Sequence, residues 1–234
     1  MLAKIAFLAS AVMSCSAAAS EPAPVAAEST VPDAAELERL GAVVGEVFIY
    51  NENIFDLADP REAKQLYRLA NKLHVRTKPQ VIRQQLLFKS GDPYSQRLLD
   101  ESARILRSAR YLYDASVRPV AFEDGRVDIA VRTRDVWTLN PGLSFSRKGG
   151  ANTVGVELEE LNLLGTGTDL EISRISGVDR DSTLIEYKDR HVFDSWVRVR
   201  AAYADNSDGS FKALEVEQPF YALDSRWTAG GYLQ

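Results

Sequence analysis

Val154-Gly155-Val156-Glu157-Leu158-Glu159, followed by Glu160-Leu161-Asn162-Leu163-Leu164-Gly165-Thr166-Gly167, decides how the second half of the chain is read. Apolar Val154, Val156 and Leu158 alternate with Gly155, Glu157 and Glu159. Strand side chains point alternately to opposite faces, so this segment carries one apolar face and one charged or small face. The pattern returns where Val197, Val199, Ala201 and Tyr203 alternate with Trp196, Arg198, Arg200 and Ala202. Working outward, strands are expected at Thr138 to Arg147, Asn152 to Asn162, Thr168 to Gly177, Ser182 to Arg190, Trp196 to Ala204, Phe211 to Glu217 and from Arg226 onward. Turn clusters separate them at Lys148-Gly149-Gly150, Gly165-Thr166-Gly167, Asp179-Arg180-Asp181 and Asn206-Ser207-Asp208-Gly209. Short strands at such spacing mean a sandwich or a barrel. A membrane barrel produces this alternation, apolar toward lipid and polar toward the lumen, and a soluble sheet with one wet face produces it too. Arg174 shares the parity of Leu170 and Ile172, which places a bulge or a strand end nearby.

Upstream, Val43 to Asp135 reads as a compact α+β unit. Val47-Phe48-Ile49-Tyr50 is a strand by its β-branched and aromatic content. Leu66, Leu69, Ala70 and Leu73 recur at helical spacing, giving a short amphipathic helix after Pro60. Thr77 with Gln80 forms a capping-box signature, and the helix it opens is expected to run to about Ser90, before Gly91. Ser95 caps another helix whose buried stripe is Leu98, Leu99, Ser102, Ile105 and Leu106. Tyr113, Ala115 and Val117 then alternate with Asp114, Ser116 and Arg118; Asp124-Gly125 turns the chain; Val127, Ile129 and Val131 alternate on the return. Pro119 places the first of these two strands at a sheet edge.

The first twenty residues have the order of a secretory signal peptide: Lys4, an apolar run from Ile5 to Met13, then small residues Ser16 to Ser20 with an Ala-x-Ala site at Ala17 to Ala19. The apolar run is about half the roughly twenty residues a membrane-spanning helix needs. Cys15 is the only cysteine and lies within this segment, so the mature chain has no disulfide and no thiolate metal site. Val12-Met13-Ser14-Cys15 loosely resembles a lipoprotein box, which leaves lipidation of Cys15 open. Residues Glu21 to Ala42, rich in Ala, Pro and Glu, read as a tether with a short helical stretch near Ala34 to Leu40. The net charge is −5 and unevenly spread, with slightly more Lys and Arg than acids over Val43 to Asp135 and more acids than bases over Val136 to Gln234, a balance that argues against a nucleic-acid partner.

Two stretches resemble the POTRA-plus-β-barrel superfamily of outer membranes, which includes the BamA and TamA assembly proteins. The first runs Ile82-Arg83-Gln84-Gln85-Leu86-Leu87-Phe88-Lys89-Ser90-Gly91-Asp92-Pro93-Tyr94, then Leu98-Leu99 and Arg110-Tyr111-Leu112-Tyr113-Asp114-Ala115. It is similar to the core of a polypeptide-transport-associated (POTRA) domain. The second, Glu159 to Gly167, resembles the Asn-Leu-x-Gly-x-Gly turn after the second barrel strand, with Asn162, Leu163, Leu164, Gly165, Thr166 and Gly167 as its residues; Pro219-Phe220-Tyr221 also looks familiar from that family. The resemblance implies a fold class of an α+β POTRA domain (β-α-α-β-β) at Val43 to Asp135, followed by an antiparallel all-β segment at Val136 to Gln234. That segment would be the first strands of an outer-membrane β-barrel. The family barrel has about sixteen strands and closed bacterial barrels at least about eight, whereas about seven are expected here, so the chain is expected to be an N-terminal fragment. An outer-membrane location follows, with the POTRA domain in the periplasm. The implied partners are unfolded outer-membrane or secreted polypeptides, outer-membrane lipid, and periplasmic or lipoprotein accessory subunits.

Two regions are candidates for contact with a client. The edge strand Leu112, Tyr113, Asp114, Ala115, Ser116 and Val117 could accept an extended polypeptide by β-augmentation. The first barrel strand, with Leu139, Pro141, Gly142, Leu143 and Phe145, would form the seam, its ladder weakened by Pro141 and Gly142. No enzyme chemistry is expected. His74 and His191 are the only histidines and lie far apart, and His74 reads as structural or solvent-facing. No Gly-x-Ser-x-Gly elbow occurs, and Gly165-Thr166-Gly167 lacks the following residues of a phosphate loop. Glu157, Glu159 and Glu171 read as lumen-facing or wet-face acids. No cofactor is expected. The alternatives are a two-partner secretion exporter, which would usually carry a second POTRA domain, and a truncated periplasmic binding or structural module.

Overall fold

A computed structural model describes residues 31–148 and 150–234. The signal peptide, Cys15, the first ten residues of the tether and Gly149 lie outside the described residues.

The α+β unit begins earlier than its sequence suggests. Helix α1 (Ala34–Arg39) is capped by Asp33, whose carboxylate accepts from the Glu36 N–H at 2.8 Å. Leu37 is fully buried and, with Ala42, belongs to the same core as the strands that follow. The second half of the expected tether is therefore part of the folded unit. After it come β1 (Val43–Glu52), α2 (Gln65–Leu73), α3 (Pro79–Arg83), α4 (Gln96–Ser108), β2 (Leu112–Glu123) and β3 (Arg126–Asp135). The sheet order is β1-β3-β2, with β3 parallel to β1 and antiparallel to β2. β3 takes the centre because Val127, Ile129 and Val131 bury completely. Burying each such side chain contributes about 1.5–3 kcal/mol. Asp124 and Gly125 both take left-handed φ (48° and 76°), the geometry of a two-residue hairpin turn.

Several local expectations change once the chain is packed. Thr77 does not cap a helix; Lys78 occupies the N-cap of α3 without a side-chain bond, and α3 ends at Arg83, well before Ser90. Ser95 stands at the N-cap of α4 but makes no capping bond. Leu98 is only half-buried, whereas Glu101 is buried among Leu99, Ser102, Ile105 and Leu106. Helix α2 forms as its periodicity predicts, yet Leu66, Leu69 and Leu73 all face outward. Tyr67 stacks on Phe55 at 4.2 Å, and Asn71 bonds to the Phe55 N–H and C=O, so the adjacent face of α2 is the one that packs.

The second half is one antiparallel sheet of seven strands in sequence order, β4 to β10. These are β4 (Leu139–Lys148), β5 (Ala151–Glu160), β6 (Asp169–Ser176), β7 (Asp181–Asp189), β8 (Arg198–Asn206), β9 (Gly209–Gln218) and β10 (Ala229–Leu233). Each corresponds to an expected strand. Trp196 is the main displacement: it stays in the turn before β8, stacked on Tyr221 at 4.4 Å. The alternation becomes two continuous faces. One carries the cross-strand row Leu158–Ile172–Ile185–Tyr203, with Leu143 opposite Val156, and all six are exposed. The other carries Glu157, Glu171, Glu186, Arg200 and Glu215, interleaved with small residues such as Gly142 and Gly155. Glu186 pairs with both Lys188 and Arg200 on this face. The register through Arg174 has no shift, and β6 ends two residues later, so the strand end rather than a bulge accounts for its placement. Among the described residues, no helix is long and apolar enough to cross a membrane.

Candidate functional site

The sheet and the α+β unit meet at one end of the strands, through the turn that joins β5 to β6. Asn162 enters this turn and makes both of its amide contacts across it. Its Oδ1 accepts from the Gly167 N–H at 2.7 Å, and its Nδ2 donates to Thr77 Oγ1 at 2.8 Å. Thr77 Oγ1 in turn donates to Asp135 Oδ1 at 2.9 Å, and the Thr77 N–H donates to Asp135 Oδ2 at 2.8 Å. His74 Nε2 lies 2.8 Å from the same Oδ2. The side chains of Asp135 and His74 are 0% and 3% exposed, so water cannot replace any partner that is lost. His74 is thus structural. The network joins the end of β3, the loop between α2 and α3, and the β5–β6 turn.

The turn's shape matters as much as its hydrogen bonds. Leu164, Gly165 and Gly167 all have left-handed φ (53°, 73° and 73°). A Cβ on Gly165 would sit 2.3 Å from the Arg76 carbonyl oxygen, and one on Gly167 would sit 2.7 Å from Val81 Cγ1. The Gly165 C=O also accepts from the Lys78 N–H at 2.9 Å. The two glycines therefore permit backbone approach to the α+β unit as well as the turn itself. The β7–β8 turn repeats the design, with Phe193 and Asp194 at φ 55° and 57° and Gln84 bonded to Asp194. Beyond β9, Arg97 pairs with Asp224 at 2.6 Å and the Leu223 N–H donates to Glu101 Oε1 at 2.6 Å. Arg110 donates to both carboxylate oxygens of Glu159 through its terminal Nη1 and Nη2, at 2.9 and 3.1 Å. All three turns at this end of the sheet thus touch the α+β unit.

Tyr111 lies under the first of these turns and accepts from Gln85 Nε2. Burial pushes its phenol up to about 12. An unfolded tyrosine ionises near 10. Above that pH the unfolded chain binds fewer protons than the folded one, so stability is complete below about pH 10 and falls as pH rises through about 12. Tyr111→Phe should flatten this alkaline loss in unfolding midpoints measured against pH; an unchanged slope would place the loss elsewhere.

The nominated strand β2 is an edge of its sheet, paired to β3 alone. Of the six residues Leu112 to Val117, Tyr113 and Asp114 are exposed and Leu112, Ala115 and Val117 are buried. The edge is partly closed by side chains of β2 and α4. The Ala115 N–H donates to Asp114 Oδ1 at 2.8 Å, and the Ala115 C=O accepts from Arg107 at 2.8 Å. Charged groups that occupy edge hydrogen bonds discourage unwanted strand pairing. The nominated seam strand β4 also stands at a sheet edge, paired only to β5. Its ladder continues without a register shift through Pro141 and Gly142, so this pair does not interrupt the β5 side. Gly142 instead makes room for Glu157, whose Cβ would lie 3.2 Å from an added Cβ.

In sequence, the chain is 31% identical over 147 residues to a protein of Treponema pallidum (strain Nichols) described as "Putative outer membrane protein assembly factor". That match takes in 59% of this chain and 17% of the longer protein. Among solved structures, CdiB from Acinetobacter baumannii overlays 82% of this chain and 37% of its own, with a TM-score of 0.53 and 14% identity. BamA from Haemophilus ducreyi lacking POTRA domains 1–3 overlays 73% of this chain and 31% of its own, at 16% identity and a TM-score of 0.45. The CdiB likeness speaks to the fold alone. No protein-family model matches the chain.

Proposed function

We propose that this chain carries a POTRA-type receptor unit and adjoining barrel strands of an outer-membrane protein that assembles or translocates β-rich polypeptides. One observation carries the reading. A β-edged α+β unit is locked by Asp135, Thr77 and Asn162 onto the turns of a sheet whose opposite faces are apolar and charged. In this reading the apolar face meets lipid and the charged face meets the lumen. The turns held by the α+β unit lie at the periplasmic end, and the client first meets β2. Main-chain pairing gives affinity with little demand on client sequence. Binding energy does the work, without a reactive side chain or a cofactor.

Photo-crosslinkers at Tyr113 or Ser116 in the whole protein test this. Adducts with many unfolded outer-membrane proteins support assembly. Adducts with a single exported polypeptide would favour a dedicated secretion exporter. Clean absence of adducts would remove β2 as the receiving edge. Release of the protein by carbonate wash would refute the membrane reading.

The side-chain closure of the edge gives a second expected result. Arg107→Ala combined with Asp114→Ala leaves both outward groups of Ala115 unoccupied. Crosslinked client at Ser116 should then rise by roughly two- to fivefold, the factor that about 0.5–1 kcal/mol of competing hydrogen bonding represents. An unchanged yield would mean that clients do not pair at Ala115.

A further inference from the structure

Helix α2 leaves an apolar stripe unused by the fold. Leu66, Leu69 and Leu73 are 70%, 51% and 63% exposed, while the neighbouring face with Tyr67 and Asn71 packs on the loop near Phe55. An amphipathic helix normally buries its apolar stripe. The stripe is not an isolated patch. Leu73 and Val75 line one cleft together with Trp137, Leu139 and Leu164. Leu139 begins β4 on the same parity as Leu143 and Phe145, so the exposed apolar surface of α2 runs into the apolar face of the sheet.

The charge around the stripe is one-sided. From Ala63 to Gly91 there are seven Lys and Arg residues and no acid, in a chain whose net charge is −5. Arg68 and Lys72 lie on the third face of α2, next to the stripe, and both are exposed. Neither forms an ion pair among the described residues. Apolar residues flanked by cations on an exposed helix are the pattern of a helix lying in the plane of a bilayer surface, with anionic headgroups as counter-ions. An acidic protein partner would match the stripe and the cations. An anionic lipid surface matches these and also the continuity with the sheet's apolar face, which favours it.

We infer that α2 is a lipid-surface anchor: Leu66, Leu69 and Leu73 enter the leaflet at the junction end of the sheet, and Arg68 and Lys72 bind its anionic headgroups. The anchor rests on the membrane reading given above. It would fix the α+β unit against the bilayer independently of the Asp135–Asn162 lock, so that the client edge β2 is held at a set height above the membrane.

The test uses the whole protein with Cys15→Ser and a single fluorescent label, folded into vesicles of mixed phosphatidylglycerol and phosphatidylcholine. The label is placed at Leu69→Cys, at Val156→Cys on the apolar face of the sheet, or at exposed Asp100→Cys on α4. Lipid carrying a nitroxide near the headgroup should quench the label at 69 at least about threefold more than the label at 100. Arg68→Glu with Lys72→Glu, or removal of phosphatidylglycerol, should abolish that difference and leave quenching at 156 by deep nitroxides unchanged. Quenching at 156 with 69 behaving like 100 would overturn the anchor and leave the barrel reading intact. Absence of quenching at both 69 and 156 would overturn the barrel reading and the anchor with it. Crosslinking of Leu69→Cys to a second copy would show that protein covers the stripe, which also overturns the anchor.

Discussion

Gly165→Ala should cost about 3 kcal/mol or more of stability, the range reserved for substitutions that combine strain with a steric clash. Two independent effects add. The backbone at φ +73° penalises any Cβ by about 1–2 kcal/mol. The new atom would also lie 2.3 Å from the Arg76 carbonyl, a main-chain group that cannot swing aside, so the turn must retreat and lose the Lys78 N–H to Gly165 C=O bond. Gly125→Ala separates the two effects. It has φ +76° with nothing within 4 Å of the added Cβ, so it pays the conformational cost alone. Urea unfolding should therefore place the midpoint of Gly165→Ala well below that of Gly125→Ala. Equal midpoints would mean that the β5–β6 turn does not press on the α+β unit.

The second large effect is expected at Asp135. Its carboxylate accepts from the Thr77 N–H and Oγ1–H and contacts His74 Nε2, all within 2.9 Å and out of reach of water. Asp135→Ala strands these donors and should cost about 3–5 kcal/mol, as for other buried groups that lose their charged partner. Asp135→Asn keeps the shape but turns one amide N–H toward a donor, and should cost about 1–3 kcal/mol. A double-mutant cycle then tests whether the network acts as one unit. Asn162 reaches Asp135 only through Thr77 Oγ1, so Asn162→Ala and Asp135→Ala should be non-additive by at least about 0.5 kcal/mol. Additivity would show two separate contacts rather than a relay. In cells, the same variants should weaken coupling between the α+β unit and the sheet before they affect the sheet's own ladder.

The strands of the second half were legible because their signal is local. The parity of Val154, Val156 and Leu158 assigns a face without reference to any other part of the chain, and register extends that face across the sheet. The Asn162–Gly167 turn was legible for a related reason: glycines at left-handed φ are marked by residue type. Thr77 misled for the converse reason. A threonine three residues before a glutamine fits a capping box, and only the presence of Asp135 diverts its hydroxyl.

Periodicity and backbone preference within about ten residues fix the seven-strand succession, the hairpin at Asp124-Gly125 and the existence of α2. Long-range packing sets which stripe of α2 packs, puts β3 between β1 and β2, and brings Asp135, Thr77 and Asn162 together. The partners in that lock are 58 and 85 residues apart, and each is an ordinary polar side chain in its own segment. Hydrogen-bond partners in a buried network are fixed by where the backbone brings them, whereas alternation and turn conformation are fixed by the residues themselves.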